Sequence, residues 1–357
     1  MKKIKIRNKW ISDRSPCFII AEAGSNFRIS DNPETNFKHA LKLIDLAAEA
    51  KADAVKFQLY RAKKLYVGDA GCADYLDKQK SINQIIQEME LPYEWLPKLK
   101  EHCDKKDIIF LCTPFDEKSV DELETLGIEA YKVASYSITD FPLLKYVAKK
   151  GKPIIMSTGA SDTGEVKKVL EYIRECGNNQ IVLLQCTAKY PAALSTINLK
   201  VIQTLQKEFD CLVGLSDHSR EPLIAPLGAV ALGAKVIEKH YTTDNNLPGP
   251  DHGFAILAEE LKELVASIRK LEAAMGSGRK GVSEAEKELH SFARHFIYSI
   301  KRIKKKEIFS KENIGTLRPG KREHGLSPEY YERILGKKAV QDIDKQMPIK
   351  KDFVEGL

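Results

Sequence analysis

Short apolar runs alternate along the chain with longer stretches in which apolar residues recur every three or four positions. The runs are "CFIIAEAG" (17–24), "DAVKFQ" (53–58), "IIFLCTPF" (108–115), "AYKVAS" (130–135), "PIIMSTG" (153–159), "IVLLQCT" (181–187), "CLVGLSDHS" (211–219) and "AKVIEKHYT" (234–242). Their length and composition predict strands. The intervening stretches predict helices: "NFKHALKLIDLAAEAK" (36–51) places Phe37, Leu41, Ile44 and Ala48 on one face, and "GEVKKVLEYIREC" (164–176) does the same with Val166, Val169, Leu170 and Ile173. Eight strand-then-helix units over about 250 residues predict an α/β fold, the parallel (β/α)8 TIM barrel, because each parallel strand needs a crossover helix before the next. A doubly wound open sheet is the competing architecture. It would show fewer strands and a glycine-rich first turn, and no GxGxxG follows the first run here.

The helical pattern ends with "AEELKELVASIRKLEAAMGSG" (258–278), which closes a barrel domain at 1–278. The Gly-rich, charged stretch "GSGRKGVSEAEKE" marks a linker, set at 279–291. From Phe292 onward come short β-like pieces, "FIYSI", "KKEIFSKENIGTLRP" and "KAVQDIDKQMPIKK", with a short helix at "SPEYYERIL" (327–335). These predict a second domain at 292–357, too small to be firmly stable alone.

The apolar runs end on polar residues. Glu22 closes the first, Lys56 and Gln58 the second, Thr113 the third, Lys132 and Ser135 the fourth, Ser157 the fifth, Ser216 to His218 the seventh, and Glu238 with His240 the eighth. The C-terminal ends of barrel strands form the mouth in which barrel enzymes hold their active sites.

Composition narrows the function without naming it. The 357 residues are 43% hydrophobic, enough for a sizeable core, and 57 Lys+Arg against 50 Asp+Glu leave a net charge of +7. The densest basic run, "KRIKKK" (301–306), lacks aromatic interleaving, so no nucleic-acid partner is expected. A mild positive balance suits small anionic substrates. Seven cysteines stand in unlike contexts with no CxxC pair, which predicts reduced thiols and a cytoplasmic location. The basic start "MKKIKIRNKW" has no apolar segment behind it and no run of about 18 apolar residues occurs, so neither secretion nor a membrane is expected.

His218 and His240 end adjacent strands and could converge on one divalent cation, leaving room for water and substrate. Either one alone would more readily be a core histidine; it is the pair on neighbouring strand ends that favours a metal. His252, after a Pro-Gly-Pro turn, reads as a flanking residue. Lys56 and Lys132 interrupt apolar strands, where an unpaired ammonium would cost several kcal/mol. They need anions: Glu22 inside the protein, or a phosphorylated and carboxylated ligand. Ser135, Ser157 and Ser216 add donors on the same rim, as phosphate binding requires.

The runs "FIIAEAGSN", "ADAVKFQ", "TPFD", "YKVAS", "IIMSTG", "QCTAKYP", "GLSDHS", "IEKH" and "PGPD" resemble, in order, the barrel of the sialic acid synthases. Those enzymes condense phosphoenolpyruvate with an N-acylated hexosamine-type sugar to make neuraminic, legionaminic or pseudaminic acid. The tail "TLRPGKREHGLSPEYYERILGKKAV" is similar to their C-terminal β-clip module, the antifreeze-like (SAF) domain. The resemblance implies a divalent metal on His218 and His240, Mn2+ first and Mg2+ or Co2+ as alternatives. It implies phosphoenolpyruvate on Lys56, Lys132, Ser135, Ser157 and Ser216, with Thr113 on the same rim. Glu22, Gln58, Tyr190 and Asp251 would line the sugar side, and Glu22 or Asp217 would manage protons. Arg318 would reach from a partner subunit to the sugar's acyl group in a domain-swapped homodimer.

This chain departs from the family pattern at Phe27, where a histidine is usual, at Ser137, where many members carry glutamate, and at Ala188, where asparagine is frequent. The first two changes are expected on the sugar side or near proton transfer. Two rival readings remain: a synthase for seven- or eight-carbon ulosonates, which would lack the SAF-like module, and a sugar-phosphate-binding protein that has lost catalysis.

Overall fold

The computed structural model describes residues 2–72 and 80–357. It falls into two compact units that divide between Gly276 and Ser277. Each is described by itself.

The first unit begins with an antiparallel hairpin, β1 (Lys3–Ile6) and β2 (Lys9–Ser12), in which Ile4 faces Ile11. Eight parallel strands follow: β3 (Phe18–Gly24), β4 (Ala54–Leu59), β5 (Ile109–Pro114), β6 (Tyr131–Val133), β7 (Ile154–Ser157), β8 (Ile181–Cys186), β9 (Leu212–Asp217) and β10 (Val236–Thr242). Their spatial order is β5-β4-β3-β10-β9-β8-β7-β6, and β11 (Ile256–Leu257) extends β10. Since β5 and β6 also lie side by side, the sheet is a nearly closed (β/α)8 barrel, as the eight-fold alternation predicts. All eight expected strands are present. β6 is shorter than its apolar run because Ser135–Thr139 turns into a 3-10 helix.

Several helices start where the local sequence supplies a cap. Asn32 Oδ1 accepts from the backbone N–H of Glu34 (2.8 Å) and Thr35 (3.2 Å), and Pro33 follows, so the first helix runs Pro33–Glu49 and begins before its apolar pattern does. Asp162 and Glu165 form a capping box that opens Thr163–Glu175. The last barrel helix, Ala258–Met275, stops at Gly276, whose φ of 59° no helix accepts.

Successive strand residues point to opposite faces, and the buried side chains separate accordingly into two cores. Ile19, Val55, Phe57, Phe110, Tyr131, Leu183, Val213, Leu215 and Ile237 face the helices. Phe18, Ile20, Ala54, Ile109, Leu111, Ile155, Val182, Leu184, Leu212 and Val236 fill the barrel. Ile4, Ile6 and Ile11 join this inner core, so the hairpin seals one end of the barrel. Its signal was the alternation in "KIKI" and "KWIS", which the basic character of the segment obscured.

The stretch expected to be a linker at 279–291 is exposed throughout, yet it is not featureless. Ser283 and Glu286 cap each other, and a helix follows at Lys287–Phe292. The second unit pairs β12 (Phe296–Ser299) with β13 (Ile314–Leu317) around a core that includes Ile297, Ile303, Phe309, Ile314, Ile343 and Ile349. The third β-like piece forms isolated bridges rather than a strand. Ile303 and Ile343 exchange both backbone hydrogen bonds, at 2.9 and 2.8 Å, between two similar turns whose Lys306 and Gln346 both have positive φ (67° and 61°).

Gly214 leaves room where β9 crosses the inside of the barrel beside β10. A Cβ there would lie 2.2 Å from Val236 O and 2.6 Å from Leu184 Cδ2. Gly214→Ala is therefore expected to destabilise the barrel by about 2 kcal/mol or more, read as a lower Tm in thermal unfolding. An unchanged Tm would contradict this inner packing.

Candidate active site

Above the apolar inner core, the same inward positions turn polar. Glu22, Lys56, Thr113, Lys132, Ser157, Ser216, Glu238 and His240 follow the inward apolar residues of their strands by the two-residue period and line one cavity of about 210 Å3. Gln58, Ser135, Tyr190, His218 and Asp251 line it too. The structure thus brings the sequence-derived barrel residues together, with one exception. Arg318 is exposed in the second unit.

Asp217 is that exception, and it corrects the expectation of a proton-handling carboxylate at this position. It follows Ser216 by one residue and so points out of the barrel. There it pairs with Lys239 Nζ at 2.6 Å and accepts from the Ser219 amide (2.9 Å) and hydroxyl (3.1 Å). Lys239, also outward, is fully buried and donates further to Glu221 O at 2.9 Å. The pair is a strut under the loop that follows β9.

At the floor of the cavity four charges are buried together. Lys56 Nζ lies 2.7 Å from Glu22 Oε2 and 3.8 Å from Glu238 Oε1, while Lys132 Nζ lies 3.4 Å from Glu238 Oε1. Lys56 also donates to Thr113 Oγ1 (3.2 Å) and Lys132 to Ser157 Oγ (2.8 Å). Burial works against each charge, and the neighbours decide the outcome. For Lys56, Glu22 and Glu238 outweigh burial and hold its pKa above the usual lysine range. For Lys132 burial prevails over Glu238 and lowers it. Glu22 is raised to about 6 by burial, against the pull of Lys56, so it can carry a proton near neutral pH. Glu238 is held below its usual value, since Lys132 and Lys56 overcome its burial.

Glu238 stands at a strand end, where the sequence alone assigns it no role, and the structure places it in the cavity. Its signal was position: it stands two residues before His240, hence on the same face. It accepts from Ser216 Oγ at 3.2 Å, and its Oε2 is buried without a hydrogen-bond partner.

The upper part of the cavity is aromatic. Tyr190 stacks on His218 with centroids 4.1 Å apart, and His218 and His240 are 5.5 Å apart, edge to face. His218 Nδ1 lies 2.9 Å from Thr187 O, a contact that fixes the proton there and leaves Nε2 with its lone pair. Burial pushes His218 down to about 4 and holds His240 well below the usual imidazole range, so both imidazoles are neutral. His240 Nδ1 is buried without a hydrogen-bond partner, 3.9 Å from Asp251 Oδ2. Neutral imidazoles with a free lone pair fit a divalent cation. Among the described residues no three ligand side chains close on one point, so the pair would form an open site completed by water or substrate.

The sugar-side expectations divide. Glu22 Oε1 accepts from Gln58 Nε2 at 2.7 Å, and Asp251 Oδ2 accepts from Ser25 Oγ at 3.1 Å. Gly24 allows this closeness: at φ 51° it turns the chain, and a Cβ would come within 3.1 Å of Asp251 and 3.3 Å of Glu22. Phe27, by contrast, is in the helix-facing core, edge-on to Trp95 at 5.8 Å, and lines no part of the cavity. Ser137 is buried in the 3-10 turn and Ala188 also lies outside the lining. His252 is fully buried, 2.6 Å from Thr242 Oγ1, and flanks the site as its turn suggested.

The outward placement of Asp217 has a direct test. Asp217→Leu alone leaves a buried ammonium unpaired and should cost about 3–5 kcal/mol of stability, whereas Asp217→Leu with Lys239→Met should recover most of the Tm. The double variant should also keep its affinity for ligands of the cavity. Recovery of Tm without recovery of binding would return Asp217 to the site.

Comparison with known proteins gives a consistent picture. The NeuB family model matches residues 43–280 and the SAF domain model residues 296–355. The spore coat polysaccharide biosynthesis protein SpsE of Bacillus subtilis is 44% identical, over 96% of this chain and 95% of that protein. The N,N'-diacetyllegionaminic acid synthase of Campylobacter jejuni is 43% identical, over 91% of this chain and 96% of that protein. The solved N-acetylneuraminic acid (sialic acid) synthetase of Leptospira borgpetersenii aligns with TM-score 0.72 and 32% identity, covering 82% of this chain and 98% of its own.

Proposed function

This chain belongs to the NeuB family and ends in a SAF domain, and from that premise we propose that it condenses phosphoenolpyruvate with an N-acylated amino sugar to make a nonulosonic acid. It is an enzyme of the condensing, transferase type, as its relatives' names indicate. The carrying observation is that two buried ammonium groups and two neutral imidazoles face one another across a single barrel cavity. The ammonium groups suit a phosphate and a carboxylate, and the imidazoles suit a metal-polarised aldehyde.

In this reading Lys56, Lys132, Ser157 and Ser216 orient phosphoenolpyruvate at the floor, with Thr113 and Ser135 beside them. A divalent ion, Mn2+ foremost, would be held by His218 and His240 and would supply Lewis acidity toward the sugar's carbonyl oxygen. C3 of phosphoenolpyruvate bonds to the aldehyde carbon, whose oxygen becomes a hydroxyl. Water adds at C2, and inorganic phosphate leaves with C–O cleavage. Glu22, with its raised pKa and its place beside Gln58, is the group suited to give or take the proton. Tyr190 and Asp251 bound the sugar's aldehyde end. The acceptor would be N-acetylmannosamine or a diacetamido-trideoxyhexose.

Phosphate release from phosphoenolpyruvate should be detected with Mn2+ and one of these acylated sugars, and be lost with a chelator. Turnover with arabinose 5-phosphate alone would point instead to an ulosonate synthase. His218→Ala should lower the metal-dependent rate by about 100-fold; an unchanged rate would remove the two-histidine site. We further propose that Arg318 of the partner subunit contacts the sugar's acyl group in a homodimer. Arg318→Ala should then raise the KM for the sugar by about tenfold while sparing that for phosphoenolpyruvate, and an equal effect on both would contradict it.

A further inference from the structure

Beside the catalytic cavity, and sharing Ile85, Met89 and Pro250 with it as a common wall, lies a second cavity of about 600 Å3. One side is the loop after β3, the same loop that departs from the family pattern. It contributes Arg28 and Asp31. Arg28 lies 2.9 Å from Asp31 Oδ1, and its Nε donates to Glu88 O at 3.1 Å. Lys80 Nζ donates to both oxygens of the same Glu88, at 2.7 and 2.8 Å. Among the described residues the rim therefore carries two cations matched by two anions, over apolar Ile85 and Met89, which are buried.

The two cavities are arranged in sequence. His240 neighbours Asp251, and Asp251 adjoins Pro250, which belongs to both cavities. A chain of atoms with its aldehyde at the imidazoles is led past Asp251 and Pro250 toward the matched rim.

We propose that the second cavity receives the end of the acceptor remote from its aldehyde, and that the quartet Arg28, Asp31, Lys80 and Glu88 restricts that end to uncharged groups such as acylamino or deoxy substituents. The proposal rests on the condensing reaction described above. A phosphate ester at that end would meet two carboxylates as well as two cations. To bind, it would have to draw Arg28 from Asp31 or Lys80 from Glu88 and leave a carboxylate unpaired beside it. An uncharged acylamino group disturbs neither pair, and its methyl can rest on Ile85 and Met89.

The test compares kcat/KM for N-acetylmannosamine, its 6-phosphate and a diacetamido-trideoxyhexose. The unmodified enzyme should disfavour the phosphate ester by about tenfold or more relative to the better uncharged acceptor. The Asp31 side chain is fully exposed (103%), so Asp31→Lys should fold normally. By removing an anion and adding a cation, it should shift the phosphate-to-uncharged ratio about tenfold toward phosphate, through the acceptor's KM. A ratio near one in the unmodified enzyme, or one that Asp31→Lys does not move, would overturn the inference. Phosphate release with none of the three acceptors would overturn the condensing reaction and the inference with it, whereas release with an unmoved ratio would overturn the inference alone.

Discussion

The side chains of a β-strand alternate between its two faces, and that two-residue period governs nearly everything in the barrel. It separates Phe18 and Ile20 from Ile19, and Leu212 from Val213 and Leu215, into an inner and an outer core. Continued upward, the inner set becomes Glu22, Lys56, Ser216, Glu238 and His240. A one-residue slip in any strand would exchange a reactive group for a structural one. Asp217 and Lys239 show the consequence. Both stand one position from cavity residues, and both serve as an ion pair on the far side of the sheet.

Stacking a charged layer on an apolar one is an arrangement that stability alone would not select. Buried ion pairs seldom outperform well-packed apolar residues of similar volume. The cluster of Glu22, Lys56, Lys132 and Glu238 is tolerable because each ammonium faces a carboxylate and the serine and threonine hydroxyls absorb remaining donors. It also leaves Glu238 Oε2 and His240 Nδ1 without partners, which marks where a polar ligand would complete the network.

The strands were legible because eight buried parallel strands read as apolar runs, and the site was legible because those runs end on polar residues. What the pattern could not give was which face each polar residue takes when several stand together. "SDH" lists three candidates, and only the strand's phase assigns Ser216 inward and Asp217 outward. The motif position of Phe27 points to the sugar side, whereas its apolar ring packs against Trp95 in the core. The quartet around the second cavity was invisible for a different reason: Arg28 and Asp31 meet Lys80 and Glu88 only once the loops after β3 and β4 fold over the same mouth.

The hairpin that seals the barrel is made before every strand it covers. Its seat is built from β3, β4, β5, β7, β8, β9 and β10, the last of them more than two hundred residues later, and β3 itself finds β10 only then. During synthesis Ile4, Ile6 and Ile11 therefore have no complete surface to bury against until the chain has been extended through Val236. A segment made ahead of the barrel is thus among the last to reach its place, and its apolar face stays uncovered while the strands that seat it are being made.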